Sequence, residues 1–211
     1  MRYVANYEQA TAHGHPYFDD FVRKSEALAL HDILMYATDH LIFTYDLMRV
    51  IGLVAAKFQR FLIIGRRWDL DLRTQINFTP GWEDVIRQRA VHEGKYQSTG
   101  AKDYLIFRRP FPVKIPKFIV GYPWYDTWMV VAAQRAGIPV IDASRAVLPI
   151  HQVHQFREGT IADRERTPQT QRNAQLAAGM EGKGQTVSAQ FLVTVFDVLE
   201  REKFYEEEQL Q

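Results

Sequence analysis

Gly121-Tyr122-Pro123-Trp124-Tyr125-Asp126-Thr127-Trp128 opens the stretch that decides the fold. An apolar run follows, then Gly137-Ile138-Pro139-Val140-Ile141-Asp142-Ala143, and the stretch closes on His151-Gln152-Val153-His154. The spacing predicts a helix from about Pro123, ended by Gly137, which tolerates the left-handed cap. Ile138–Ile141 is a short apolar strand and Val147–Ile150 a shorter one. An acid at a helix start, a strand and two histidines beyond it suit metal-assisted or base-assisted chemistry on a polar substrate.

Working outward, Phe18, Phe21, Val22, Leu28 and Ala29 fall on one helical face. Asp32–Ala37 reads as a buried strand with Thr38-Asp39-His40 at its end. Thr44 is placed to cap a helix that buries Leu47, Val50, Ile51, Val54, Ala55 and Phe58. Phe61–Gly65 is a second buried strand, and Arg66–Leu72 leaves it. Thr79-Pro80 starts a third helix, carrying Trp82, Val85, Ile86 and Ala90 on one side. Ser98–Ala101 is a loop and Tyr104–Phe107 a strand. Pro110, Pro112 and Pro116 then exclude a regular element.

Beyond His154, residues 155–167 are polar and charged and read as a mobile loop. Thr167-Pro168 opens a short helix that ends near Gly179. A last helix is expected from Ser188, burying Phe191, Leu192, Val195, Val198 and Leu199, before a solvated acidic tail at Glu206–Glu208. Alternating strands and helices predict one α/β domain over residues 1–211 with a largely parallel sheet. Residues 1–16 form an irregular lead-in, and 188–211 the C-terminal helix and tail. Such sheets bind ligands at the carboxyl ends of their strands, where Asp39 and Asp142 fall.

The 211 residues are 46% hydrophobic, enough for a sizeable core. With 26 Lys+Arg against 25 Asp+Glu, the net charge of +1 does not point to nucleic acid. The chain has no cysteine, which rules out disulfides and thiolate metal sites. It shows no signal pattern and no transmembrane segment, so a cytoplasmic or membrane-peripheral place is expected. There is no Gly-rich phosphate loop and no Gly-x-Ser-x-Gly elbow, which argues against nicotinamide-dependent and serine-hydrolase chemistry.

Each candidate residue has a plain reading beside the chemical one. Asp39 can hold a cation or simply cap a turn. Asp69-Leu70-Asp71 would place two carboxylates on one face of an extended segment, or would make ion pairs beside Arg67. Asp126 is either a tuned base or a helix N-terminal charge. His151 and His154 offer one metal ligand or a proton shuttle, but not the helical spacing of a two-histidine zinc site. His13 and His15 sit in a loop with no third ligand nearby.

Taken in order, Asp32–Phe43, Phe61–Leu72, Gly100–Phe107 and Gly121–His154 resemble the GT-A-type nucleotide-diphospho-sugar glycosyltransferases, family 2-like. The resemblance covers most of residues 16–200, including Arg172–Ala177. It implies a GT-A-like three-layer α/β/α fold with a mostly parallel sheet, truncated at its N-terminus so that the nucleotide-binding strand–helix unit is missing. It implies transfer of a sugar from a nucleotide-sugar donor to a hydroxyl acceptor. Asp39 would bind manganese or magnesium, completed by His151 and secondarily His154. Gly100, Ala101 and Asp103, with Trp124, would shape the substrate pocket, and Asp126 would be the catalytic base. Ala37 stands where the family has Asp or Asn. The missing unit would leave an exposed sheet edge for a second copy or a partner chain. Two alternatives stay open: a non-catalytic binding or assembly module of the same fold, and a metal-dependent hydrolase using Asp39, Asp69 and the histidines.

Overall fold

A computed structural model describes residues 6–10, 14–154 and 166–202. Its helices are α1 (Phe18–Leu28), α2 (Asp46–Lys57), α3 (Trp82–Glu93), α4 (Tyr125–Arg135) and α5 (Pro168–Leu176). Its strands are β1 (Ile33–Ala37), β2 (Leu41–Ile42), β3 (Leu62–Ile64), β4 (Trp68–Leu70), β5 (Lys95–Tyr96), β6 (Tyr104–Arg108), β7 (Val140–Asp142), β8 (Ile150–Gln152), β9 (Phe191–Val193) and β10 (Val198–Glu200).

Six strands form the main sheet in the order β1-β6-β3-β7-β9-β10. β3, β7 and β9 are parallel neighbours, and β1 shares their direction because both β1 and β3 run antiparallel to β6. β10 also runs against its neighbour β9. The protein is therefore α/β, but the sheet is mixed and not mostly parallel. The reversal of β6 has a local cause. After β3 the chain enters a second sheet, ordered β2-β8-β4-β5, where β5 pairs antiparallel with β4. That pair returns the chain beside Arg67, whose carbonyl accepts from Gln97 N–H at 3.0 Å. β6 thus starts at the edge where β3 ended.

Strand alternation sends side chains to both faces. Leu62, Ile64, Leu105 and Phe107 pack with Phe18 and Val22 of α1 and with Met129 and Ala133 of α4. Ile63, Tyr104, Ile106 and Ile141 pack the other way, against Val50 and Val54 of α2. Each fully buried Leu or Ile contributes roughly 1.5–3 kcal/mol relative to exposure. α3 covers the second sheet with Ile86 and Ala90 on Leu70 and Ile150. No helix among the described residues is long and apolar enough to cross a membrane.

The expected C-terminal helix is a hairpin. A 3-10 turn at Thr186–Ser188 precedes β9 and β10, which pair with Val193 opposite Val198. Leu192, Val193 and Val198 are buried, whereas Phe196 in the turn is 85% exposed. The turn is closed by Thr194, whose N–H donates to Asp197 O at 2.9 Å and whose hydroxyl accepts from Asp197 N at 3.2 Å. A β-branched run either side of a turn had matched helical spacing by accident.

Smaller differences have similar causes. β1 is an edge strand and mostly half-buried, not a buried one. Thr38 N–H donates to Asp103 O and Arg109 N–H to Asp32 O, so Ile33, Met35 and Ala37 turn their backbone groups to the outer edge. Thr44 does not cap α2; its hydroxyl donates to Asp46 Oδ1 at 3.0 Å. The expected strand Val147–Ile150 lies a few residues later, as β8. Gly137 (φ 67°) follows α4 as expected, and Thr167 caps α5 by accepting from Thr170 N–H at 3.2 Å. His13, most of the 155–167 loop and Glu206–Glu208 lie outside the described residues.

Gly65 ends β3 because no side chain fits there: a Cβ would stand 2.0 Å from Tyr104 Oη and 2.9 Å from its Cζ. Tyr104 is fully buried and its hydroxyl has no hydrogen-bond partner among the described residues. Gly65→Ala should therefore lower the urea-unfolding free energy by about 1–3 kcal/mol or more. Tyr104→Phe should leave it unchanged or raise it by up to about 1–2 kcal/mol, and should soften the Gly65→Ala defect. A clear loss in Tyr104→Phe alone would mean that the hydroxyl is bonded after all.

Candidate functional site

The candidate residues gather at the edge where β1, β3 and β7 end and β6 begins. Asp126 lies in the first turn of α4, after Trp124, which is held at φ 92°. A left-handed non-glycine residue costs about 1–3 kcal/mol and persists only where its surroundings enforce it. The enforcement is visible. Buried Asn173 of α5 donates through Nδ2 to the Ile119 and Pro123 carbonyls, both at 3.0 Å, and accepts from Ile119 N–H at 2.9 Å. From the other side Gly184 sits so close that a Cβ there would meet Thr127 O at 2.6 Å.

Lys102 is the partner of Asp126. Its side chain is 1% exposed, and Nζ stands 3.0 Å from Asp126 Oδ2, with Asp126 16% exposed. Nζ also donates to Gly100 O at 3.2 Å. Gly100 and Ala101 thus form the turn that receives the ammonium, with Ala101 N–H on Ser98 O at 3.0 Å. Nearby, the Tyr36 and Tyr125 hydroxyls are 3.1 Å apart. Burial pushes the Tyr36 hydroxyl up, and the charges of Asp126 and Asp39 push it further. Two buried hydroxyls beside this loop, on Thr38 and Thr186, have no partner among the described residues.

A second network adjoins the first. Arg67 bridges Asp103, which it contacts through Nη1, and Asp69, through Nε at 2.8 Å. Gln97 Nε2 donates to the other Asp69 oxygen at 2.6 Å. Asp69 stands opposite His151 in the parallel β4–β8 register. His151 Nδ1 is 3.1 Å from Asp69 Oδ1 but is misaligned and makes no hydrogen bond. Burial, helped by the Arg67 charge and opposed by Asp69, lowers the His151 pKa to about 4, so the ring is neutral at neutral pH. His40 and His154 close the group, with ring centres 4.0 Å apart and 6.1 and 5.3 Å from His151. Asp39 is 87% exposed, with Oδ1 3.2 Å from His40 Nε2.

The structure thus brings Asp39, His151 and His154 into one neighbourhood, joined through His40, and puts Asp126 in the adjoining one. Asp103 is engaged by Arg67. Asp69 and Asp71 do not act as a pair: Asp69 has both oxygens occupied, and exposed Asp71 accepts from Arg73 at 2.8 Å. Asp142 is likewise taken, by Ser144 N–H at 2.9 Å and Arg201 at 2.7 Å. His15 lies 3.1 Å from Val120 O and packs on Tyr122. Sequence reasoning missed Lys102, His40 and Asn173, and it read Arg67 as the ion-pair neighbour of Asp69 that it is. Only His40, adjacent to Asp39, carried a signal.

Among the described residues no three histidine or carboxylate side chains converge ready to hold a metal. The donors near Asp39 are imidazoles, whereas magnesium and manganese favour oxygen ligands. The set does not fit the implied ion. Comparison of the chain with family models, curated proteins and solved structures finds no match.

His151 makes the fold sensitive to acid. Below pH about 6.5 the unfolded chain takes a proton that the folded ring refuses until about 4. Its contribution should be constant above pH 6.5 and decline between 6.5 and about 4, by about 3 kcal/mol in full. Urea midpoints at pH 7, 6 and 5 should show a shallower decline in His151→Asn. An identical slope in the variant would assign the acid sensitivity elsewhere.

Proposed function

We propose that the chain is a glycosyltransferase-like domain that transfers a sugar from a nucleotide-diphospho-sugar to a hydroxyl acceptor. The observation that carries the reading is Asp126: a partly sheltered carboxylate, fixed by Lys102 through one oxygen, at the ligand-binding edge of an α/β sheet. Its second oxygen is the proton acceptor. As the acceptor oxygen attacks the anomeric carbon, its proton passes to Asp126 and the bond to the diphosphate breaks. Lys102 holds the carboxylate in place. The Gly100–Ala101 turn, Asp103 and Trp124 line the sugar side, and the unpartnered Thr38 and Thr186 hydroxyls suit a polyhydroxyl ligand. The outer edge of β1 is the place offered to a second copy or partner.

One observation favours the other reading, a non-catalytic module. A buried Lys102 gives Asp126 a structural task that needs no reaction. The two are separated by incubating the chain with a panel of nucleotide sugars, with and without manganese, and measuring release of nucleoside diphosphate. Turnover should drop about 10²–10⁴-fold in Asp126→Asn. Because that change strands a buried ammonium, the same substitution is also made beside Lys102→Met, with circular dichroism confirming the fold. Consumption of no donor, or turnover indifferent to Asp126, would leave the module reading standing.

A further inference from the structure

The two outer strands of the main sheet differ in how they meet other chains. β10 is three residues long, carries Glu200, and has its outward Val198 carbonyl occupied by the Lys57 ammonium. A short edge with charges on it resists pairing with another strand. β1 has no such guard. Its five residues, Ile33-Leu34-Met35-Tyr36-Ala37, include no charge and no proline, and pair with β6 without a bulge. Ile33, Met35 and Ala37 turn their N–H and C=O groups outward, and among the described residues no strand meets them. Apolar side chains flank this edge: Leu30 is 92% exposed, and Phe21, 39% exposed, packs edge-on against Tyr36. We propose that two copies of the chain join edge to edge through β1, antiparallel about Met35, so that each sets its His31 beside Asp39 of the other.

The register follows from the strand itself. With Met35 opposite its own copy, Met35 pairs with Met35 and Ile33 with Ala37, and each exchanges both backbone bonds. A slip of two residues sets one of them against the bend at His31 or the turn at Asp39 instead. A slip of one would oppose outward groups to inward ones. In the matched register Met35 meets Met35 on one face of the joined sheet and Leu34 meets Tyr36 on the other. Just past the strand ends Asp32 faces Thr38, and exposed His31 faces Asp39, which is 87% exposed. An imidazole donor thus meets a carboxylate, and no two like charges stand opposite. The arrangement is self-complementary and two-fold, and the guarded β10 edge stops it from growing further. Asp39 borders His40, so each copy adds a residue to the other's candidate site. The dimer rests on the glycosyltransferase-like reading only in naming the occupant of the edge which that reading leaves open, and it forms without any donor.

The full, untagged chain is followed by sedimentation velocity from about 1 to 100 μM. A monomer–dimer equilibrium with a Kd of micromolar order is expected. Met35→Lys, which sets two ammonium groups face to face across the two-fold axis, should weaken it at least about tenfold. Ala37→Pro should do the same by removing an outward N–H. That position is exposed and its N–H points away from β6, so the fold survives, as circular dichroism checks. Because the chain has no cysteine, introduced cysteines read the register. Met35→Cys should cross-link to itself under mild oxidation. Ile33→Cys and Ala37→Cys should each stay unlinked alone and form a disulfide when the two variants are mixed. A monomer over the whole range, a dimer unaltered by both Met35→Lys and Ala37→Pro, or self-linking of Ile33→Cys as readily as of Met35→Cys would overturn the proposal. Absence of nucleotide-sugar turnover from a chain that dimerises in this register would sink only the preceding reading.

Discussion

An ammonium group almost wholly removed from water must have an anion beside it, and that requirement organises the edge of the sheet where β1, β3 and β7 end. Lys102 enters at the first residues before β6, and Asp126 is the carboxylate that meets it. The meeting fixes where α4 can start. It also explains why the preceding loop accepts a left-handed tryptophan, because the helix cannot slide to relieve Trp124 without parting the charges. Stranding one member of such a pair costs about 3–5 kcal/mol, more than the backbone strain at Trp124. Asn173 then completes the anchoring from behind: its buried amide donates to the Ile119 and Pro123 carbonyls and accepts from the Ile119 N–H.

The second sheet does for the histidines what the ion pair does for Asp126. β4 leaves the main sheet directly after β3, and β8 joins it in parallel, so Asp69 and His151 become lateral neighbours. β2 joins β8 from the other side and carries His40 in. A small sheet of two- and three-residue strands thus holds two independent polar groups against the edge of the large one. Arg67 links the two sheets through Asp103 and Asp69, so the charged networks are continuous even where their chemistry differs.

Much of the architecture was legible in the residues. α1 to α4 follow from apolar spacing, with Gly137 marking the end of α4, and α5 follows from the Thr167-Pro168 pair that opens it. β3 and β6 follow from short apolar runs. What failed was information that no local pattern holds. Phe191–Leu199 fits a helical stripe as well as two strands, and only pairing with β7 decides between them. Strand direction was misjudged because β6 is reversed by a detour through another sheet. At the site, Asp126, His151 and His154 were visible as residue types, but Lys102 looked like any surface lysine. Its burial is a tertiary fact, as is the sequestration of Asp142 by Arg201, whereas the pairing of Asp69 with Arg67 two residues away was legible.

The place of β6 between β1 and β3 sets the order in which the molecule can assemble during synthesis. β1 emerges early and has only β6 to pair with in the main sheet, through contacts such as Ile33 with Arg108. β3 meets the same strand from the other side, through Leu62 and Phe107. Until the ribosome has delivered Arg108, β1 waits with its inner edge open. Closing so long a stretch adds little to the equilibrium entropy cost, which grows only with the logarithm of its length. It weighs instead on the rate, since a chain rich in distant contacts folds slowly. The apolar run Phe61–Ile64 likewise waits for β6, and for β7 after it, and is almost wholly buried once the sheet has closed.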